Sequence, residues 1–152
     1  MTDADQEFAD DPGDFSVTML MADSAQVADK KLYILGGGIS VLPPRPTPVA
    51  VAMILRVPWA MGDSRHSWKL ELLDEDFAPV MAKDRPVLVG GEFEARRPEG
   101  LKPGISLDVP VAINFGALPV QPDKRYTWRL SIDDTSEPPW RISFSVRPAT
   151  KV

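Results

Sequence analysis

Apolar and polar residues alternate with a period of two through most of the chain. One such segment places Trp68, Leu70 and Leu72 on one side, with Lys69 and Glu71 on the other. This alternation is typical of an antiparallel strand with one buried face and one solvated face. The pattern predicts about eight strands, at residues 15–22, 31–38, 49–57, 68–73, 87–94, 107–115, 126–132 and 140–146.

The segments between these strands are rich in residues that form turns, since the chain contains 16 prolines and ten glycines. Residues 42–48 include four prolines, which excludes both a helix and a central strand there. Pro110 lies inside a predicted strand and cannot donate a main-chain hydrogen bond, so that strand should lie at a sheet edge or contain a bulge. Only residues 22–30 have fair helix propensity, enough for two turns at most. We therefore predict an all-β fold, an immunoglobulin-like sandwich of two antiparallel sheets.

The first three predicted strands are apolar on both sides, unlike the last two, whose outer faces are polar. A strand with two apolar faces must be covered on its second side by a loop, a terminus or another subunit. This pattern predicts self-association through the face of the first three strands. The residues predicted to make these contacts are Leu20, Tyr33, Leu35, Ala52 and Ile54.

Charge is distributed unevenly, although the net charge of the chain is only −5. Residues 1–14 contain six acidic side chains and no basic ones, so we predict a disordered acidic leader there. The rest of the chain carries 16 acidic and 17 basic side chains. A nearly neutral body is poorly suited to binding nucleic acid, whose affinity depends on clustered Lys and Arg. We predict a single β-sandwich domain at residues 15–148, followed by a tail at 149–152.

The absence of cysteine excludes thiol nucleophiles, thiolate metal sites and disulfides, and fits a reducing compartment. The first 15 residues lack the basic and apolar regions of a secretory signal. No apolar run approaches the roughly 20 residues of a membrane-spanning helix. These features predict a cytoplasmic protein that does not bind a membrane.

A second candidate surface lies in the loops. If consecutive strands run in opposite directions, the loops after the first, third, fifth and seventh strands meet at one end of the sandwich. Aromatic and arginine side chains are favoured anchors in recognition sites. This end is therefore the alternative binding site, for a carbohydrate or a peptide, although a tryptophan there more often plugs the core. The residues concerned are Trp59, Arg65, His66, Arg96, Arg97 and Trp140.

Catalytic and metal-binding patterns are weak. His66 is the only histidine, and its neighbours Asp63, Ser64 and Ser67 diverge from it along one segment, so they do not form a triad. The glycines at 36–38 are followed by prolines rather than a helix, which favours a bulge over a phosphate-binding loop. The acidic clusters after two of the strands lack a calcium-loop motif. We predict no enzymatic activity, no cofactor and no metal.

Four segments of the chain resemble an uncharacterised family of small bacterial β-sandwich proteins: MLMADSAQVADKKLYILGGGIS, KLELLDEDFAPV, YTWRLSIDD and WRISFSVRP. The similarity covers residues 15–148 and implies a fold but no chemistry. One departure is Phe77, where glycine would be the natural turn residue, so an exposed aromatic side chain is expected there.

We conclude from the sequence that this is a non-enzymatic interaction or assembly protein whose partner is another protein or a second copy of itself. The alternative is a ligand-binding module that takes a small ligand, a carbohydrate or a peptide, at the loops around Trp59 and Arg96.

Overall fold

The computed structural model describes residues 14–149. Residues 1–13 of the predicted leader and residues 150–152 of the tail lie outside the described part. The described residues form eleven strands and one short 3-10 helix, Trp59–Met61. The strands are β1 (Ser16–Ala28), β2 (Lys31–Gly37), β3 (Val41–Leu42), β4 (Pro48–Val57), β5 (Arg65–Leu73), β6 (Met81–Ala82), β7 (Arg85–Pro86), β8 (Leu88–Glu94), β9 (Leu107–Ala117), β10 (Arg125–Ile132) and β11 (Arg141–Val146).

These strands build two packed sheets, which confirms the predicted all-β sandwich. Sheet A has the order β2-β1-β4-β9 and sheet B the order β3-β11-β10-β5-β8, while β6 and β7 form a separate ribbon. Neighbouring strands are antiparallel except β3, which runs parallel to β11. The three strands that the pattern missed, β3, β6 and β7, have two residues each, too few for an alternation to be visible. The immunoglobulin-like assignment stays a prediction.

The core lies between the inner faces of the two sheets. Trp128 of β10 is completely buried and stacks on Phe115 of β9, with ring centroids 4.7 Å apart. This contact joins sheet B to sheet A. Other fully buried side chains from both sheets surround it: Val49, Val51, Met53, Leu55, Leu70, Leu72 and Leu130.

Pro110 lies on β9, which forms one edge of sheet A, so the predicted edge position is confirmed. Its partner in the ladder is Ile54 of β4. Because no strand of residues 14–149 lies on the outer side of β9, the missing N–H of proline costs no ladder hydrogen bond there.

Residues 22–30, where helix propensity is fair, are strand and turn instead. β1 continues to Ala28, and Asp29 and Lys30 form a two-residue turn with φ values of 51° and 61°. Positive φ at both turn residues is the geometry that suits a tight hairpin. The predicted end of the first strand at residue 22 is therefore wrong, because pairing of β1 with β2 continues to the turn.

The second half of β1 crosses the outer face of sheet A. Ala22, Ala50 and Asn114 lie side by side on β1, β4 and β9. Three residues after Ala22, the main chain of Ala25 is held by the side chain of Asn114, which accepts from its N–H (3.1 Å) and donates to its C=O (2.8 Å). Three extended residues reach about 10 Å, which matches two strand spacings of roughly 4.8 Å. The chain thus passes over β4 to reach β9.

Small side chains make this crossing possible. Ala22, Ala25, Ala50 and Ala52 form a buried cluster on the outer face, and Leu32 of β2 packs against it. A larger side chain at these positions would hold the crossing strand away from the sheet. The chain's own β1–β2 hairpin therefore covers part of the second apolar face that the sequence predicts for these strands.

Within residues 14–149, no helix has the length and hydrophobicity needed to cross a membrane.

Candidate functional site

The most prominent exposed apolar surface lies on β2. Leu35 is 69% exposed and Tyr33 is 53% exposed, and Ile34 between them is also exposed. The register pairs Tyr33 with Gln26 and Leu35 with Ser24, so the two exposed side chains share one face of the hairpin. We call the segment Tyr33 to Leu35 the β2 patch.

Two of the five predicted self-association residues, Tyr33 and Leu35, belong to the β2 patch. Ala52 does not, because it is only 1% exposed and lies beneath the hairpin. Its prediction as a surface contact is wrong. Leu20 and Ile54 are partly buried on the same outer face. The face of β1 and β4 is thus partly covered within one chain, and β2 presents the exposed apolar residues.

The β2 patch also has main-chain groups that are unpaired within the described part of the chain, because β2 is an edge strand of sheet A. Residues that flank a two-residue hairpin turn bond to each other, and every second residue then points away from the partner strand. Ala28 and Lys31 flank the turn, so Leu32 and Ile34 direct their N–H and C=O groups outward. Ala25, opposite Ile34, accordingly bonds to the Asn114 side chain rather than to β2.

The other edges of the two sheets carry features that oppose strand addition. β9 contains Pro110, β3 has only two residues, and β8 ends in the exposed acidic residues Glu92 and Glu94. Proline, short length and charge are common means by which proteins protect sheet edges. β2 has a single charge, Lys31, at its start. Its edge is therefore the least protected of the four.

The predicted loop end brings several of its residues together. The guanidinium of Arg97 lies 4.5 Å from the ring centroid of Trp59 and donates to the Trp59 carbonyl at 2.6 Å and 3.2 Å. Arg97 also pairs with the Asp63 carboxylate at 3.5 Å. These contacts fix the 3-10 helix against the loop that follows β8. Trp59 and Arg97, two of the residues predicted to bind a ligand, thus hold these loops together.

Trp140 lies at the same end but is buried and belongs to the core. With Phe15 and Met61 it lines a groove of about 590 Å³ whose rim carries the acidic residues Asp14, Asp133 and Glu137. Arg65 and Arg96 stay exposed and form long ion pairs, with Glu92 at 3.6 Å and Glu94 at 3.9 Å respectively.

His66 is more buried and has more side-chain contacts than its neighbours in the sequence would predict. Its side chain is 10% exposed, and its ring lies 5.0 Å from Phe15 and 5.4 Å from Phe93. Nδ1 lies 2.8 Å from the carboxylate of Asp133, while Nε2 lies 3.2 Å from the carbonyl oxygen of Met61. The second ring nitrogen thus faces a main-chain carbonyl rather than a serine hydroxyl. Residues adjacent to His66 in the sequence do not identify Asp133 as its partner, because Asp133 lies 67 residues away.

The pKa of Asp133 is lowered from its ordinary value, mainly because the Ser67 N–H donates to its carboxylate, with further help from His66. A carboxyl group with a lower pKa in the folded state stabilises the fold above its unfolded pKa, and this contribution is lost as the pH falls through the folded pKa. We expect Asp133→Asn to reduce the free energy of unfolding at neutral pH and to weaken its fall below about pH 4. Urea unfolding at a series of pH values measures both effects.

Asp134→Asn is the matched control, because Asp134 is the next residue in the same turn and makes no hydrogen bond or ion pair to the described residues. If the free energy of unfolding fell equally with decreasing pH in wild type and in Asp133→Asn, the Asp133 carboxylate would not stabilise the fold in this way.

At the opposite end of the sandwich, Phe77 has the predicted turn conformation. Its φ is 59°, its side chain is exposed, and Arg141 lies 5.7 Å from its ring centroid. The predicted bulge at the glycines is wrong for Gly36, because the register of β1 with β2 is the same on both sides of it. Gly36 instead has a φ of 66° and lies against the carboxylate of Asp23. Among the described residues, no three His, Asp or Glu side chains are grouped so as to hold a metal ion.

Comparison with known proteins adds a family but no activity. No curated protein is similar enough to count as a match. A match to a family described as "Family of unknown function (DUF6941)" extends over residues 17–147, nearly the whole of the described sandwich. The chain therefore belongs to this family of unknown function.

Proposed function

We propose that this protein is a non-enzymatic assembly protein of the cytoplasm that self-associates through the edge of β2. The observation that carries the proposal is the β2 patch, three consecutive exposed apolar residues on an edge strand with unpaired main-chain groups. Edge strands of this kind are templates for pairing with another strand. Apolar side chains beside the edge add buried area to the main-chain hydrogen bonds.

A second copy of the same chain is the partner that fits this edge. Two antiparallel copies of β2 related by a twofold axis would present the same surface to each other. Lys31 at the start of one β2 would then approach the end of the other, where the Asp23 carboxylate lies against Gly36. The charges at the two ends of the strand are complementary in this arrangement, and they occur twice in the dimer.

Two observations on nucleophilic and acid–base side chains support the proposal that the protein is not an enzyme. Cysteine is absent from the sequence, and both ring nitrogens of His66 already face acceptors of the fold. Absence of cysteine also agrees with a reducing compartment such as the cytoplasm. In the alternative ligand site, predicted around Trp59 and Arg96, the ring of Trp59 is already in contact with Arg97.

Sedimentation velocity over the micromolar range tests the proposal. We expect wild type to shift from monomer to dimer with concentration, and a Tyr33→Asp, Leu35→Asp double variant to stay monomeric. Charges placed on an interface that must be dehydrated oppose association, and both side chains are exposed in the monomer, so the fold should survive.

Met81→Asp is the matched control, because Met81 is 51% exposed on β6, away from the β2 patch. It should dimerise like wild type. A wild type that is monomeric at the highest concentration, or a double variant that dimerises normally, would overturn the proposal.

A further inference from the structure

A cleft separate from the β2 patch lies where the tip of the β1–β2 hairpin meets the start of β9 and the loop at residues 95–106. Its volume is about 530 Å³, within the range of roughly 300–1,000 Å³ found for small-molecule sites. Much of its wall is apolar and includes Val27, Leu101, Leu107 and Val109. The cleft exists because the hairpin crosses the outer face of sheet A and its tip reaches β9.

Most polar groups of this cleft that lack a close partner among the described residues are hydrogen-bond donors. Of its two acidic residues, Asp108 accepts from Arg56 Nε at 3.0 Å, and Glu94 lies 3.9 Å from Arg96. Lys30 has no acidic partner among the described residues, and the side chain of Arg96 is 82% exposed. The cleft therefore retains positive charge that its own carboxylates do not neutralise closely.

Ser106 provides a third donor. Its hydroxyl oxygen is buried and has no hydrogen-bond partner among the described residues, although the residue lines the cleft. A buried polar atom without a partner is uncommon in native proteins, because it loses its hydrogen bonds to water and gains none in return. Rotation about the Ser106 Cα–Cβ bond would turn the hydroxyl from this closed position into the cleft, where a ligand that accepts a hydrogen bond would satisfy it.

We infer that this cleft binds a small organic carboxylate with an apolar body. The apolar part would lie against Val27, Leu107 and Val109, and the carboxylate would accept from Ser106 with Lys30 and Arg96 nearby. Charge-assisted hydrogen bonds of this kind are among the stronger polar contacts in binding sites. Two cations and one hydroxyl match a single carboxylate better than a polyphosphate, which would need more positive charge. This site is independent of the proposed self-association.

Titration of the ¹⁵N-labelled protein with octanoate tests the inference, and 1-octanol serves as the neutral ligand with the same chain length. We expect octanoate to cause saturable chemical-shift changes at the amides of Val27, Ser106 and Val109. Octanol should bind much more weakly. The Tyr33→Asp, Leu35→Asp variant should bind octanoate normally, which separates this test from the test of self-association.

Lys30→Asn and Ser106→Ala should each weaken octanoate binding, by roughly tenfold for loss of the charged donor. Asparagine is chosen because Lys30 has a φ of 61°, a conformation that asparagine tolerates. Lys69→Asn, on β5 and outside the cleft, is the matched control and should bind like wild type. Octanol binding as tightly as octanoate, shifts confined to other surfaces, or no saturable binding would each overturn the inference.

Discussion

Replacement of Trp128 by alanine is expected to lower the free energy of unfolding by about 3–5 kcal/mol, the usual cost of truncating a buried tryptophan. Trp128 is completely buried in β10 and stacks on Phe115 of β9. The substitution would remove the largest fully buried side chain among the described residues and leave a cavity between the two sheets. Since a domain is typically stable by only about 5–15 kcal/mol, this is a large fraction of the total. Urea unfolding monitored by circular dichroism measures the loss.

Trp128→Phe is the informative control for this prediction. The indole Nε1 of Trp128 is buried without a hydrogen-bond partner among the described residues. Phenylalanine keeps a ring that can stack on Phe115 and removes the unsatisfied donor, so it should cost much less than alanine. A Trp128→Ala variant as stable as wild type, or a phenylalanine variant as unstable as the alanine variant, would contradict the stacking role.

Replacement of Ala50 by leucine is expected to destabilise the fold by about 1–3 kcal/mol and to lift the hairpin from sheet A. Ala50 is completely buried on the outer face, where the second half of β1 passes over β4. The larger side chain has no space unless the crossing strand moves. Hydrogen exchange at Ala25 should accelerate, because its N–H donates to the Asn114 side chain only while the hairpin is docked.

Ala117→Leu on β9 makes the same change at an exposed position and should leave stability nearly unaltered. If Ala50→Leu left both the free energy of unfolding and exchange at Ala25 unchanged, the small outer-face residues would not be what allows the hairpin to dock. The prediction also bears on the proposed function, since the docked hairpin determines where the β2 edge is presented.

The sequence by itself determined which parts of the chain are strands and which residues form the core. Alternation of apolar and polar residues is a local property, so it located the eight longer strands. The missing N–H of Pro110 indicated an edge or a bulge for β9, and the structure has the edge. Helix propensity at residues 22–30 did not determine the structure there, because pairing of β1 with β2 stabilises a strand instead. The apolar pattern on both sides of the early strands also predicted Tyr33 and Leu35 as contact residues, and both are exposed on the edge strand β2.

Only the tertiary structure decided what covers the second apolar face of these strands. From the sequence, a loop, a terminus or another subunit could each cover this face. In the structure the chain's own β1–β2 hairpin covers Ala50 and Ala52. The Asn114 side chain, 89 residues from Ala25 in the sequence, holds the hairpin there. The sequence also did not predict that His66 pairs with Asp133 or that the Ser106 hydroxyl is buried without a partner among the described residues. Periodicity specifies the direction in which a side chain points, whereas its partner depends on how distant segments cross, and that depends on packing across the whole sandwich.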